Sequence, residues 1–254
     1  MKFKNGHWVV KQEFEPLYAC EAVRAEKMGQ ALKLLIATKH ISGRGDTQTP
    51  VLGAKVFSPA EGVIGVTLWH HRGTLQKGPR FELTPDGSAP EIRVEKDAAY
   101  VKNGGLTARI SLKENDWHID FLGENGRYTG DGFRMMGHMR RRDTGEGYMV
   151  QQLELDVGEC VYGLGERFTA FVKNGQQVDM WNGDGGSCSE LAYKNVPFYM
   201  TNRGYGVLVD DAGDVSFEVA SEQVERVQFS VQAEQMTYYV FAGPTPREVL
   251  RRYT

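Results

Sequence analysis

The sequence predicts an all-β protein, a sandwich or a barrel, on three observations. Short runs of alternating apolar and polar residues recur along most of its 254 residues. Each run is bounded by Gly, Asn, Asp or Pro. Glycine is abundant, at 30 residues, which suits many tight turns between short strands. In an extended chain successive side chains point to opposite faces, so period-2 alternation marks a half-buried strand.

The runs can be taken in order. Val63–His70 sets Ile64, Val66 and Leu68 on one face. Leu106–Leu112 and Trp117–Leu122 follow, and Met149–Val157 opposes Leu153, Leu155 and Val157 to Glu154 and Asp156. Tyr205–Asp210, Val215–Val219, Arg226–Val231 and Met236–Ala242 complete the series. Asn103-Gly104, Asn125-Gly126 and Asp86-Gly87 are turn signals, because both residue types tolerate positive φ. Ala19–Thr38 reads equally as an amphipathic helix or as a hairpin about Gly29-Gln30. At the far end, Thr245-Pro246-Arg247-Glu248 predicts a capping box that opens a helix over 245–254, with Val249, Leu250 and Tyr253 on its apolar face. That helix stops at Thr254 without a C-cap signal, so the expectation is a chain cut inside a longer protein.

Composition excludes several classes. A net charge of −3 draws the chain neither to nucleic acid nor to an anionic membrane. No apolar run approaches a membrane span, and the start lacks the apolar stretch of a signal peptide. Cys20, Cys160 and Cys188 are odd in number and widely spaced, which fits free thiols and a cytoplasmic setting. The six histidines offer no zinc spacing, and the adjacent His70 and His71 point to opposite faces of a strand, so neither a metal nor a cofactor is expected.

Few motifs speak for chemistry. Gly163-Leu164-Gly165-Glu166-Arg167-Phe168 opens like a phosphate loop but lacks its third glycine and any βαβ setting, so its glycines are assigned to a sharp chain reversal. Arg44-Gly45-Asp46 reads as a turn, Arg140-Arg141-Arg142 as a solvated strand edge and Asp120 as solvent-facing. Val178–Glu190 is different: Trp181, Asn182 and Asp184 lie in a glycine-rich stretch poor in core-forming residues. A sugar site needs a flat apolar face and planar polar groups, which these supply, although a buried Trp beside an Asx-turn has the same sequence signature.

Read whole, the segment resembles a known family. YGLGERF (Tyr162–Phe168), the WNGDGG loop (Trp181–Gly186), YKNVPFY (Tyr193–Tyr199) and TNRGYGVLV (Thr201–Val209) stand in the order found in glycoside hydrolase family 31, within its bacterial α-xylosidase subgroup. TPVLGAKVFSPAEGVIGV upstream and GPTPREVLRRYT at the close also resemble it, so the likeness spans essentially the whole chain.

The resemblance implies a large antiparallel β-sandwich of the galactose mutarotase-like kind over 1–244, with residues 245–254 as a short linker helix into a (β/α)8 catalytic barrel. It tips Ala19–Thr38 toward strand. It places both catalytic aspartates of the retaining mechanism in that barrel, so no catalytic residue is expected in this chain. It also implies that the 174–190 loop reaches over the barrel mouth, making Asp184 the first candidate for a sugar contact, with Trp181 and Asn182 behind it. The implied partners are a small oligosaccharide carrying α-linked xylose or glucose and the chain's own barrel, and homo-oligomers are common in this subgroup. A stand-alone sugar-binding module is the alternative, with Trp181 as its platform.

Overall fold

The computed structural model describes residues 2–6, 9–73, 84–183, 188–189 and 191–254. Its strands, in chain order, begin with β1 (Lys4–Asn5), β2 (Val9–Val10), β3 (Phe14–Tyr18), β4 (Glu21–Met28), β5 (Ala31–Ala37), β6 (Val51–Ala60) and β7 (Val63–Trp69). Next come β8 (Glu91–Val94), β9 (Ala98–Asn103), β10 (Leu106–Ser111), β11 (Ile119–Gly123), β12 (Gly126–Gly130), β13 (Met136–Arg141) and β14 (Gly147–Glu154). The rest are β15 (Val161–Gly163), β16 (Gln176–Asp179), β17 (Phe198–Thr201), β18 (Tyr205–Val209), β19 (Val215–Val219), β20 (Arg226–Val231) and β21 (Gln235–Ala242), followed by helix α1 (Pro246–Tyr253).

Three antiparallel sheets make the sandwich. One layer is an eight-stranded sheet in the order β15-β17-β18-β21-β7-β6-β5-β4. Facing it are a six-stranded sheet, β16-β19-β20-β14-β13-β3, and a five-stranded sheet, β12-β11-β10-β9-β8. The expected alternation is what closes the interior. Leu32, Leu34 and Ile36 of β5 and Ile64, Val66 and Leu68 of β7 point inward and are buried. Val227, Phe229 and Val231 of β20 and Ala108 and Ile110 of β10 meet them from the other layer. Aromatic edges lock the layers: Tyr238 packs on Phe229 at 5.3 Å and on Phe121 at 6.3 Å, and Tyr199 meets Phe217 at 6.2 Å. Each such side chain contributes roughly 1.5–3 kcal/mol by leaving water.

The ambiguous segment is a hairpin. β4 and β5 pair from Glu21↔Ala37 to Met28↔Ala31, and Gly29 takes φ +60° at the first central position of the two-residue turn. Two sequence readings are corrected. Arg140 and Arg141 lie on β13, which is paired on both sides by β14 and β3, so they occupy no sheet edge. Asp120 does not face free solvent: its carboxylate takes Arg127 at 2.6 Å and Arg109 at 3.5 Å, and the side chain is only 14 % exposed. A strand on the outer sheet face can recruit long cationic neighbours, which periodicity does not register.

Helix α1 docks on the outer face of the eight-stranded sheet. Val249 is buried among Val63, Phe198, Tyr239 and Phe241, and Tyr253 stacks on Phe198 at 4.2 Å. Leu250, by contrast, stays 40 % exposed. The capping box forms by half: Thr245 Oγ1 accepts from Glu248 N at 3.2 Å, but the Glu248 carboxylate is drawn to Arg251 at 2.6 Å. Among the described residues no helix is long and apolar enough to cross a membrane.

The Gly163–Gly165 turn shows what its glycines are for. Leu164 N donates to Phe198 O at 2.9 Å and Glu166 N to Lys194 O at 2.9 Å, so two backbones run in close contact. A Cβ on Gly163 would sit 2.6 Å from Phe198 O, and one on Gly165 2.2 Å from Lys194 O; their φ angles are +113° and +81°. The turn leads into no helix, and its amides are spent on carbonyls, which excludes a phosphate loop there. Gly165→Ala adds a backbone clash to a left-handed residue and is expected to cost about 2–4 kcal/mol, read as a lowered urea midpoint with unchanged slope.

A buried carboxyl links two sheets. Asp131 Oδ1 accepts from Ile119 N at 2.8 Å, and Oδ2 from Gln151 Nε2 at 2.9 Å and Trp117 Nε1 at 3.3 Å. Burial pushes Asp131 up to about 7 against those three hydrogen bonds. The folded chain therefore keeps a proton that the unfolded chain, with its carboxyl near 3.8, has lost. Stability contributed by this group falls as pH rises from about 4 to about 7 and is level above that. Asp131→Asn keeps the shape and removes the proton, so denaturant titrations across that window should lose this slope, worth at most roughly 4 kcal/mol. A wild-type slope that survives the substitution would refute the assignment.

Candidate functional site

The 174–190 loop grows out of a firm base. β16 pairs with β19 from Gln176↔Val219 to Asp179↔Ser216, and Val178 and Met180 are buried beneath it. Met180 N donates to Val215 O at 2.9 Å, the last rung of this ladder. Beyond that point the chain leaves the sheet and Trp181 is 59 % exposed. The reading of a buried Trp beside an Asx-turn is therefore set aside: the indole is on the surface. Gly183 N folds back onto Trp181 O at 3.0 Å, and a Cβ on Gly183 would lie 3.0 Å from the indole, so a glycine here keeps the ring's edge clear.

Asn182 is held from the side. Its Oδ1 accepts from Asn195 Nδ2 at 2.9 Å and Asn195 N at 3.2 Å, and its backbone bridges Ala192 in parallel. Asn195 Oδ1 in turn accepts from Arg167 Nη2, while Arg167 also reaches Asp179 O at 3.0 Å. Burial pushes the Arg167 guanidinium down from its usual value, with Asp179 opposing. Three of the motifs thus meet in one place: Arg167 of YGLGERF, Asn182 of WNGDGG and Asn195 of YKNVPFY. Arg167 and Asn195 escaped the sequence reading, although both stand inside the motifs that carry the resemblance. Asp184, the first candidate for a sugar contact, lies outside the described residues.

Chemically, the described part of this rim offers a flat aromatic face, the Trp181 indole, with the Asn182 and Asn195 amides beside it. Asn182 spends its carbonyl on Asn195, which makes it a brace for the loop more than a ligand group. Phe168, Phe171 and Tyr193 are also largely exposed nearby in sequence, at 70 %, 78 % and 64 %. Single exposed apolar residues are ordinary, but four large aromatic rings on neighbouring loops are not. Two shallow hollows flank Arg127 and Tyr128, one toward Arg203 and Pro246 and one toward Asp156 and Glu225, and neither touches Trp181 or Asn182.

Comparison with known proteins gives the family. The signature of the glycosyl hydrolase 31 N-terminal galactose mutarotase-like domain matches residues 54–218. The chain is 41 % identical over 257 residues to alpha-xylosidase XylQ of Lactiplantibacillus pentosus and 39 % identical over 275 residues to an alpha-xylosidase of Emericella nidulans. Both alignments cover 100 % of this chain but only 33 % and 35 % of those relatives, so it spans about a third of their length. Its fold also matches the family 31 dextranase of Flavobacterium johnsoniae with a TM-score of 0.72 at 18 % identity, over 94 % of this chain and 28 % of that one. The chain belongs to glycoside hydrolase family 31, as its N-terminal galactose mutarotase-like β-sandwich domain.

Proposed function

We propose that this domain is the non-catalytic N-terminal part of a retaining α-xylosidase-type hydrolase that removes α-linked xylose, or glucose, from oligosaccharide ends. It braces a catalytic barrel and lends that barrel the Trp181–Asp184 rim. One observation carries the reading: the chain aligns end to end with two alpha-xylosidases and accounts for only 33 % and 35 % of their length. The chemistry of bond cleavage then resides in the other two thirds, and this domain acts by shaping the site. The exposed aromatics near the rim and the half-exposed α1 face support a surface meant for further protein. The odd number and wide spacing of Cys20, Cys160 and Cys188 support a cytoplasmic setting.

A carboxylate such as Asp184 accepts two hydroxyl hydrogen bonds in one plane, which selects a sugar without breaking its bond. In the full-length enzyme, Asp184→Asn should raise KM for an α-xyloside about tenfold while kcat stays within about threefold, the signature of lost uniform binding. A collapse of kcat with KM unchanged would assign Asp184 to the chemistry instead. The 254-residue chain alone is expected to show no turnover of p-nitrophenyl α-xyloside, and turnover by a preparation free of host glycosidase would overturn the proposal.

The exposure of Trp181 favours one second reading, a sugar-binding module that works alone. Calorimetry with xylose and isoprimeverose separates the two: affinity tighter than ~1 mM, lost in Trp181→Ala, supports the module.

A further inference from the structure

Away from the rim, the fold gathers two histidines and a glutamate that are remote in sequence. His70 follows the end of β7, Glu234 stands just before β21 and His138 lies in the middle of β13. The first two are fixed as neighbours by the ladder: Trp69 pairs with Gln235, and His70 N donates to Glu234 O at 2.9 Å. His138 is held from the opposite layer by its partners Met149 and Leu17. The imidazoles stack with centroids 4.1 Å apart and planes 15° from parallel. The Glu234 carboxylate spans them, with Oε2 2.6 Å from His70 Nδ1 and Oε1 3.2 Å from His138 Nε2.

We infer that His70, His138 and Glu234 form a divalent transition-metal site of the zinc type, which ties the eight-stranded sheet to the six-stranded one. Two observations carry it. The donor set, two imidazoles and one carboxylate, is that of three-ligand zinc sites, which leave a fourth position to water. All three donor atoms lie within 4.8 Å of one another, and a metal at roughly 2.0–2.2 Å from each needs them about 3.3–3.6 Å apart. An imidazole binds metal in its own plane, so the His70 ring turns out of its stack on His138 to make that adjustment, which its surroundings allow: the side chains of His70 and Glu234 are 32 % and 43 % exposed while that of His138 is 2 % exposed.

The second observation is the space kept for them. A Cβ on Gly147 would sit 2.3 Å from Glu234 Oε1 and 2.4 Å from His138 Nε2, so only glycine leaves room for the cluster. Other His–carboxylate contacts, His40 with Glu21 and His118 with Asp116, bring together one histidine each and serve as controls.

The test is a Zn2+ titration of the chelator-dialysed chain by calorimetry, paired with thermal unfolding. One Zn2+ per chain is expected, bound tighter than about 100 µM, with Tm raised by several degrees in excess metal. His70→Ala, Glu234→Gln and Gly147→Ala should each weaken binding at least tenfold and abolish the Tm rise. The first two alter partly exposed side chains, so their folding, checked by circular dichroism, should persist. His40→Ala and His118→Ala should leave affinity unchanged. Wild-type binding weaker than about 100 µM, or binding that survives both His70→Ala and Glu234→Gln, would overturn the site.

Discussion

The structure depends on the aromatic contact between its two layers, centred on Tyr238. This ring, on β21 of the eight-stranded sheet, touches Phe229 of the six-stranded sheet and Phe121 of the five-stranded sheet. The six- and five-stranded sheets carry different strands and share none, yet both must face the same partner. Edge-to-face packing gives each a defined distance to it.

Polar ties then fix how the layers sit on one another. Asp131 reaches Ile119 and Trp117 on one side and Gln151 on the other, joining the five- and six-stranded sheets through a buried carboxyl. The His70–Glu234–His138 cluster joins the eight- and six-stranded sheets where the chain crosses between β20 and β21. Of these groups Asp131 and His138 are buried, while His70 and Glu234 are partly exposed, so the first tie is screened from water and the second lies at the edge of the interior.

The rim inherits its position from backbone contacts. Gly163 and Gly165 let β15 and the following turn run against the carbonyls of Phe198 and Lys194, and Arg167 then bridges to Asn195 and the Asp179 carbonyl. Asn182 hangs on Asn195, and Trp181 projects from that support. Up to Gly183 the described part of the loop is thus tied at its root by hydrogen bonds, and Trp181 beyond them is 59 % exposed.

Period-2 alternation in Leu106–Leu112 and Trp117–Leu122 marked strands and their inward faces, as β10 and β11 bear out, whereas β20 and β21 are buried on both faces and their pattern tells only that they are strands. The motif order from Tyr162 to Val209 determined the family and the sandwich. What only the tertiary structure decided lies between elements distant in the chain. Whether Ala19–Thr38 is helix or hairpin turned on pairing with β6, not on local pattern. That Trp181 is exposed turned on what else packs over β16 and β19. His138 met His70 and Glu234 across layers, at sequence separations that spacing rules do not reach, and even between the consecutive strands β10, β11 and β12 it took the pairing register to set Asp120 against Arg109 and Arg127. Local sequence encodes which way a side chain points; only folding decides what it meets there.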